Sequence, residues 1–150
     1  MMQAVKQEAG FTLLEMLMSV AIIGMLAGIT APLYQSFVQR NDLDITTQLL
    51  ASTIRRAESY ARAGNGDSAW SVEVPVGGDI TLFKGTSYGS RNTAFDEIVD
   101  IPASITSSGL TEIRFTKFTA TPNTTGSFTL TSTTNDVGTV SVNAEGTVDY

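Results

Sequence analysis

An uncharged run of apolar residues after Glu15 constrains this chain more than any other feature. From Met16 to Gln39 no residue carries a charge. A helix of about 20 apolar residues is long enough to span a bilayer, so residues 11–39 are predicted to form a hydrophobic helix in lipid or among other helices. A lone carboxylate at the centre of a membrane helix costs roughly 2.5 kcal/mol or more. We therefore expect Glu15, at the start of the run, to be neutralised and functional.

A cleaved secretory signal peptide is the first alternative for this run. The apolar core of such a signal is usually about 7–15 residues long, and small residues stand three and one positions before the cut. Here the run is longer, a cut after Ala31 would place Ile29 three positions before it, and Pro32 would follow. The pattern therefore fits a retained helix better than a secretory signal.

A helical pattern continues beyond the apolar run, over residues 40–63. Residues of one face recur at spacings of three and four, as in an amphipathic helix. Gly64 and the Asn-Gly after it are typical of a helix end. One helix is therefore predicted from about Phe11 to Ala63, apolar all round in its first half and one-sided in its second. The one-sided face comprises Leu43, Thr47, Leu50, Ile54, Ala57 and Ala61.

Residues 64–150 alternate between apolar and polar positions, which is the pattern of half-buried strands. The predicted fold class is α+β: a long N-terminal helix, hydrophobic in its first half, packed on one antiparallel β-sheet whose other face is exposed to solvent. Trp70 is predicted to lie in the core between sheet and helix, and residues 85–97 are predicted as a loop. The predicted strands are 70–76 and 80–84 as a hairpin, 98–101, two segments around Ile113 and Phe115 and around Phe128 and Leu130, and a terminal hairpin of Val140 and Val142 with Val148.

Composition excludes several kinds of chemistry. The chain has no cysteine and no histidine, which removes thiol chemistry, disulfides, Cys/His zinc sites and any Ser-His-Asp arrangement. A hydrolase would have to rely on an acid pair such as Asp96 and Asp100. No catalytic residue and no cofactor are predicted.

Charge argues against nucleic acid as a partner. The net charge is −6, and residues 64–150 contain ten acidic and four basic residues. Phosphate binding draws its affinity from clustered Lys and Arg.

Three acids, Asp96, Glu97 and Asp100, lie close enough in sequence to suggest a calcium loop, but they lack the ligand spacing of an EF-hand. We therefore predict a bare acidic loop and no metal site.

The stretch "GFTLLE", Gly10 to Glu15, followed by the apolar helix and Pro32, resembles the signal of type IV pilins and pseudopilins. The resemblance implies that residues 1–10 are a leader, which a prepilin peptidase of the inner membrane removes between Gly10 and Phe11 before methylating the Phe11 amine. It also implies that the helix bends or unwinds near Pro32 when subunits pack. The leader departs from the family pattern, because Lys6 is offset by Glu8.

The cut that the resemblance implies gives Glu15 a partner. Cleavage after Gly10 creates an ammonium group on Phe11, four residues before Glu15. An isolated charge among apolar helices is very unfavourable, whereas a paired charge is tolerable. The amine of one subunit can therefore be neutralised by Glu15 of a neighbour, and this pairing would set the axial register of a new subunit.

Residues 49–150 resemble the H-type group of minor pilins and pseudopilins, with early paired strands and a terminal hairpin. Some members of that group bind DNA, which the acidic balance of this chain argues against. The prediction is a structural subunit of a type IV pilus or a type II secretion pseudopilus. Its domains are the leader 1–10, the filament-core or transmembrane helix 11–39, the amphipathic continuation 40–63 and the β-rich head 64–150.

The expected partners are other pilin or pseudopilin subunits, the prepilin peptidase and, before assembly, inner-membrane lipid. The expected location is a single pass through the inner membrane with a cytoplasmic N-terminus, followed by an extracellular or periplasmic filament. The alternative is a membrane-anchored adhesive or ligand-binding β-domain that never polymerises. An anchored hydrolase is the weakest hypothesis, because it lacks a histidine base.

Overall fold

The structure is a computed structural model that describes residues 10–150, without the side chains of residues 29–33. The chain divides into two compact units, of which the first ends at Ser36 and the second comprises Phe37–Tyr150. One helix, α1 (Leu13–Arg62), contributes to both. The second unit contains a helix packed on antiparallel sheets, which confirms the predicted α+β class.

The first unit contains the N-terminal part of α1. Large apolar side chains point outward on all sides of the helix, as the sequence predicts for this half. Within the described part of the chain, no helix combines the length and the apolarity that crossing a bilayer requires. Pro32 lies inside α1, but its side chain is outside the described residues. The bend expected there and the membrane helix predicted over residues 11–39 both stay predictions.

The second half of α1 presents its predicted apolar face to the head. Leu43, Leu50 and Ile54 are buried there, together with alanines and three threonines. The hydroxyls of Thr46, Thr47 and Thr53 donate to the carbonyl oxygens four residues earlier, at 2.7–2.8 Å. Since a buried hydroxyl without a partner is destabilising, these bonds let threonine occupy the core face.

The end of α1 is closed by a glycine and by a distant loop. Gly64 adopts a left-handed conformation with φ 64°, which glycine tolerates without steric strain. Its N–H donates to the Ala61 carbonyl at 3.0 Å, and the N–H of Phe118 donates to the same oxygen at 2.8 Å. The helix therefore ends at the predicted place for two reasons. One is the local conformation of Gly64, and the other is the hydrogen bond from the distant residue Phe118.

In the part of the chain that the structure describes, eight strands form two four-stranded antiparallel sheets, not the single sheet that was predicted. In the first sheet the strand order is β3-β2-β1-β5, and in the second it is β4-β6-β7-β8. The strands divide into two sheets because β4 pairs with β6 and not with β5, although only two residues separate β4 from β5 along the chain. The strands are β1 (Trp70–Glu73), β2 (Ile80–Lys84), β3 (Asn92–Val99), β4 (Ile105–Gly109), β5 (Glu112–Phe115), β6 (Gly126–Ser132), β7 (Val137–Val142) and β8 (Val148–Asp149), with short 3₁₀ turns at Asn65–Asp67 and Tyr88–Ser90.

Both sheets contribute to one core with α1. Val72, Leu82 and Ile113 occupy equivalent positions on neighbouring strands of the first sheet, and the second sheet adds its own buried row. Trp70 is buried as predicted, and its ring meets that of Tyr60 edge-on with centroids 4.8 Å apart. The buried row of the second sheet comprises Ile105, Phe128, Leu130, Val140 and Val142.

Two local predictions are confirmed and two are wrong. β1 pairs with β2 and β7 with β8, as the predicted hairpins require. The predicted loop 85–97 is wrong from Asn92 onward, because β3 already begins there as the edge of the first sheet. The prediction that the outer face of that sheet is exposed to solvent is also wrong in part. Phe83 is buried on this face, where its ring packs against the ring of Tyr88, a residue of the connection between β2 and β3.

Candidate assembly site

The first turn of α1 is built around Thr12 and Glu15. The Glu15 backbone N–H donates to the Thr12 hydroxyl at 3.2 Å, and the Met16 N–H donates to the Thr12 carbonyl at 3.2 Å. Thr12 is therefore the N-cap of the helix, and Glu15 occupies the third helical position, as in a capping box. A carboxylate there also interacts favourably with the positive end of the helix dipole.

The N-cap role of Thr12 is absent from the sequence prediction, although the sequence contains its signal. Thr12 followed three residues later by Glu15 is the capping-box pattern. The local structural role at the start of the helix thus belongs to the hydroxyl of Thr12, which accepts the backbone N–H of Glu15. The hydroxyl of Ser19, one turn further on, donates to the Glu15 carbonyl at 2.8 Å.

Glu15 is surrounded by exposed apolar side chains. Phe11 is 80% exposed and Leu13 is 81% exposed. From Leu13 to Leu26 such side chains recur on every side of the helix. An exposed apolar surface of this extent marks a region that is covered by lipid or by protein. Its other large members are Leu14, Met16, Leu17, Met18, Val20, Ile22, Ile23, Met25 and Leu26.

The structure places three of the four predicted site residues at the start of the helix. Gly10 and Phe11 precede the first turn in non-helical backbone, and Glu15 lies within that turn. Among residues 10–150, and apart from its chain neighbours, no atom lies within 4 Å of the position that a Cβ on Gly10 would occupy. Pro32 belongs to the same helix but lies far along it, so it is not part of this cluster.

A second exposed surface lies on the far side of α1 from the core. Ile45 and Leu49 are 47% and 39% exposed there. With Gln48, Ser52, Arg55 and Tyr150 they line an open groove of about 360 Å³. Arg55 closes one side, because its guanidinium donates to the Val148 carbonyl at 2.8 Å and lies 5.1 Å from the centre of the Tyr150 ring. We call this surface the outer helix face.

Two acids of the predicted acidic loop, Asp96 and Glu97, lie in strand β3 and are paired with arginines, and Asp100 directly follows the strand. The Arg91 guanidinium donates to the Asp96 carboxylate at 2.7 Å, and Arg56 pairs with Glu97. The described residues contain no group of three ligands that could hold a metal ion. Because Asp96 is bound to Arg91, it is poorly placed to act with Asp100 as an acid pair.

The chain resembles known proteins both in its N-terminal sequence and in its fold. A family model, the prokaryotic N-terminal methylation motif, matches residues 5–31. The chain is also similar to the type IV minor pilin FimU of Pseudomonas aeruginosa strain PAO1. One crystal form of FimU, in space group P21, matches with a TM-score of 0.60 and 18% identity over 75% of this chain and 90% of FimU. A second form, in space group P65, gives a TM-score of 0.58 and 18% identity over 71% and 90%.

A helix that carries an N-terminal methylation motif and packs on antiparallel sheets defines the class of pilin-fold proteins. Both the motif and the fold fit the family of type IV pilins and pseudopilins, as the stretch "GFTLLE" predicted. Two solved structures that share this fold are crystal forms of a minor pilin. This family and fold are structural rather than enzymatic.

Proposed function

We propose that this chain is a prepilin-like structural subunit, of the minor pilin or pseudopilin kind. In this proposal prepilin peptidase cuts between Gly10 and Phe11 and methylates the new amine. The mature chain then assembles with other pilin or pseudopilin subunits into a type IV pilus or a type II secretion pseudopilus. Pro32 is the proposed site where α1 adapts to packing.

The exposed apolar surface around Glu15 is the observation that supports this function. Burying one large apolar side chain contributes about 1.5–3 kcal/mol, so a long helix with many exposed apolar side chains strongly favours association. Lipid can cover such a surface before assembly. Equivalent helices of other subunits can cover it in a filament, where close packing replaces lipid contacts.

Glu15 determines the axial position of one subunit relative to its neighbour in this association. A carboxylate enclosed by apolar helices needs a cation, because the desolvation of an unpaired charge is costly. The Phe11 amine of a neighbouring subunit supplies one after cleavage. A subunit at the wrong height leaves both charges unpaired, and the pairing therefore selects one axial position.

The proposed location follows from the same helix. Before assembly the chain crosses the inner membrane once with its N-terminus in the cytoplasm, and the peptidase and the membrane lipid are its partners there. After assembly the head lies in an extracellular or periplasmic filament. The chain has no catalytic role, cofactor or nucleic-acid partner in this proposal.

The test combines N-terminal mass spectrometry with the substitution Glu15→Ala. In cells with an active prepilin peptidase, the purified protein should start at a methylated Phe11. Glu15→Ala should retain membrane insertion but lose incorporation into filaments. Glu145→Ala removes an equal charge from an exposed turn of the head and should incorporate normally.

Three results would contradict the proposal. The first is a purified chain that still begins at Met1 or Met2. The second is normal filament incorporation of Glu15→Ala, and the third is the absence of any filament that contains the wild-type chain. Either of the last two results would favour a membrane-anchored adhesive or ligand-binding β-domain that does not polymerise.

A further inference from the structure

A small pocket lies in the head beyond the start of β2 and the end of β3, between two tight turns. In the first turn the Gly78 N–H donates to the Pro75 carbonyl at 3.1 Å. In the second turn the Ile105 N–H donates to the Pro102 carbonyl at 2.9 Å. Residues of both turns line the pocket, whose volume is about 220 Å³.

Hydrogen bonds between the two turns make the pocket a preformed one. The Ser107 hydroxyl donates to the Pro75 carbonyl at 2.8 Å, which joins β4 to the first turn. The Ile101 backbone N–H donates to the Asp79 carboxylate at 2.9 Å, which joins the approach to the second turn to the start of β2. A site that is already fixed before binding loses little conformational entropy when it is occupied.

The lining is apolar except for one available carboxylate. Ile101, Pro102 and Ile105 form the apolar wall. Of the two polar side chains, the Thr106 hydroxyl already donates to the Thr131 carbonyl at 3.3 Å. The other is Asp79, of which one oxygen accepts the Ile101 N–H. Among residues 10–150, its second oxygen accepts no hydrogen bond and its carboxylate belongs to no ion pair.

We propose that this pocket binds a lysine or arginine side chain of a second, different protein. The aliphatic stem of that side chain lies against the apolar wall, and its cationic end pairs with the second oxygen of Asp79. Lysine and arginine combine an apolar stem with a charged end, and a hydrogen bond between two charged groups is stronger than a neutral one. This inference goes beyond the proposed function and does not depend on it.

Other kinds of ligand fit the pocket less well. Pockets for small molecules usually measure about 300–1,000 Å³, so this one is closer to the size of a single side chain. A metal ion would lack ligands, because the described residues contain no group of three side chains that could hold one. An anion would be repelled by Asp79 and by the net charge of −6.

A second copy of this chain offers no unpaired base for the pocket from the part that the structure describes. The required lysine or arginine therefore belongs to a different protein, and the acidic balance of the head attracts a basic one. Within residues 10–150, Arg40, Arg56, Arg62, Arg91 and Lys117 pair with carboxylates, Arg55 and Arg114 donate to carbonyl oxygens, and Lys84 lies over the ring of Phe95.

NMR titration of the ¹⁵N-labelled full chain in detergent micelles tests this pocket. The probes are end-blocked tripeptides with lysine, arginine or norleucine between two glycines. Norleucine has the same four-carbon stem as lysine but no charge. The lysine or the arginine peptide should shift the amide signals of Gly78, Ile101 and Ala103 in a saturable way. The norleucine peptide should bind roughly two- to fivefold more weakly, which corresponds to about 0.4–1 kcal/mol, as for exposed ion pairs.

Three variants separate the charge of the pocket from its shape. Asp79→Asn keeps an oxygen for the Ile101 N–H and should lower the affinity for the cationic peptides to that for the norleucine peptide. Asp149→Asn makes the same change of charge at an exposed residue of β8 and should leave the affinity unchanged. Ala103→Leu narrows the pocket and should weaken all three peptides. Unchanged amide signals elsewhere in the head show that each variant is folded.

Several outcomes would overturn this inference. They are the absence of saturable shifts at the pocket with both cationic peptides, equal binding of the norleucine peptide, and shifts that map to another surface. An equal effect of Asp79→Asn and Asp149→Asn, or unchanged binding in Ala103→Leu, would overturn it as well. None of these results concerns cleavage after Gly10 or entry into filaments, so they are distinct from a failure of the proposed function.

Discussion

Glu73 of β1 lies directly opposite Glu112 of β5 on the outer face of the first sheet. Glu112 accepts the backbone N–H of Tyr88 at 3.3 Å, whereas one oxygen of Glu73 is buried and has no hydrogen-bond partner among the described residues. Burial raises the pKa of the Glu73 carboxyl, the nearby Glu112 raises it further, and Arg91 partly opposes the change. The pair therefore couples the stability of the head to pH.

We predict that Glu73→Gln stabilises the head at neutral pH. Like charges directly opposite on a sheet are destabilising, and such pairs contribute about 0.2–1 kcal/mol. Since the pKa of Glu73 is raised on folding, the native state binds this proton more tightly than the unfolded state. The wild-type penalty is thus complete above the folded-state pKa, declines as pH falls through it and is gone below the unfolded-state value.

Urea unfolding of the detergent-solubilised chain at several pH values, followed by the fluorescence of the single tryptophan, measures this effect. The advantage of Glu73→Gln should shrink as pH falls from 7 toward the ordinary range of a glutamate. Glu145→Gln is the control, because Glu145 lies in an exposed turn. An advantage of Glu73→Gln that persists unchanged in acid would contradict the electrostatic explanation.

Thr12→Ala should loosen the first turn of α1. The hydroxyl of Thr12 accepts the Glu15 N–H, and loss of an N-cap costs about 0.5–2 kcal/mol. Hydrogen exchange of the Glu15 amide, measured in detergent micelles, should accelerate by roughly 2- to 30-fold, the range that follows from that energy. Thr12→Ser keeps the hydroxyl and should exchange as the wild type does. Equal exchange in all three chains would show that Thr12 does not act as the cap.

Gly138→Ala should destabilise the head. The space for a Cβ at Gly138 is already taken by the Thr47 hydroxyl, which is buried and bonded to the Leu43 carbonyl. Overpacking of this kind costs typically about 1–3 kcal/mol. The free energy of unfolding in urea should fall by that amount. Gly89→Ala is the matched control, because open space surrounds Gly89, and a loss of the same size there would argue against a specific contact.

Tyr60→Leu should weaken the contact between α1 and the first sheet. Tyr60 meets Trp70 edge-on, and such aromatic pairs contribute about 0.5–1.5 kcal/mol beyond the area they bury. The unfolding midpoint should fall, and the tryptophan emission should change in the folded protein. Tyr34→Leu replaces an exposed tyrosine of the first unit and should change neither. An unchanged emission in Tyr60→Leu would show that the rings do not interact.

Sequence reasoning located the helix, its core face and both short hairpins, because each depends on local periodicity and turn chemistry. It missed the start of β3 at Asn92, since the exposed residues of that edge strand do not alternate clearly. It also missed the pairing of Arg91 with Asp96, and it missed that Asp96 and Glu97 lie in a strand paired with β2. The assignments of Gly10, Phe11, Glu15 and Pro32 stay predictions.

The order of residues along the chain was sufficient to determine which segments are apolar, where the helix stops and where the acidic residue Glu15 stands relative to the apolar run. These are properties of neighbours a few positions apart. Only the tertiary structure decided that the strands divide into two sheets and that Glu73 faces Glu112. Pairing of distant strands depends on how the whole core closes, and local sequence does not encode that choice.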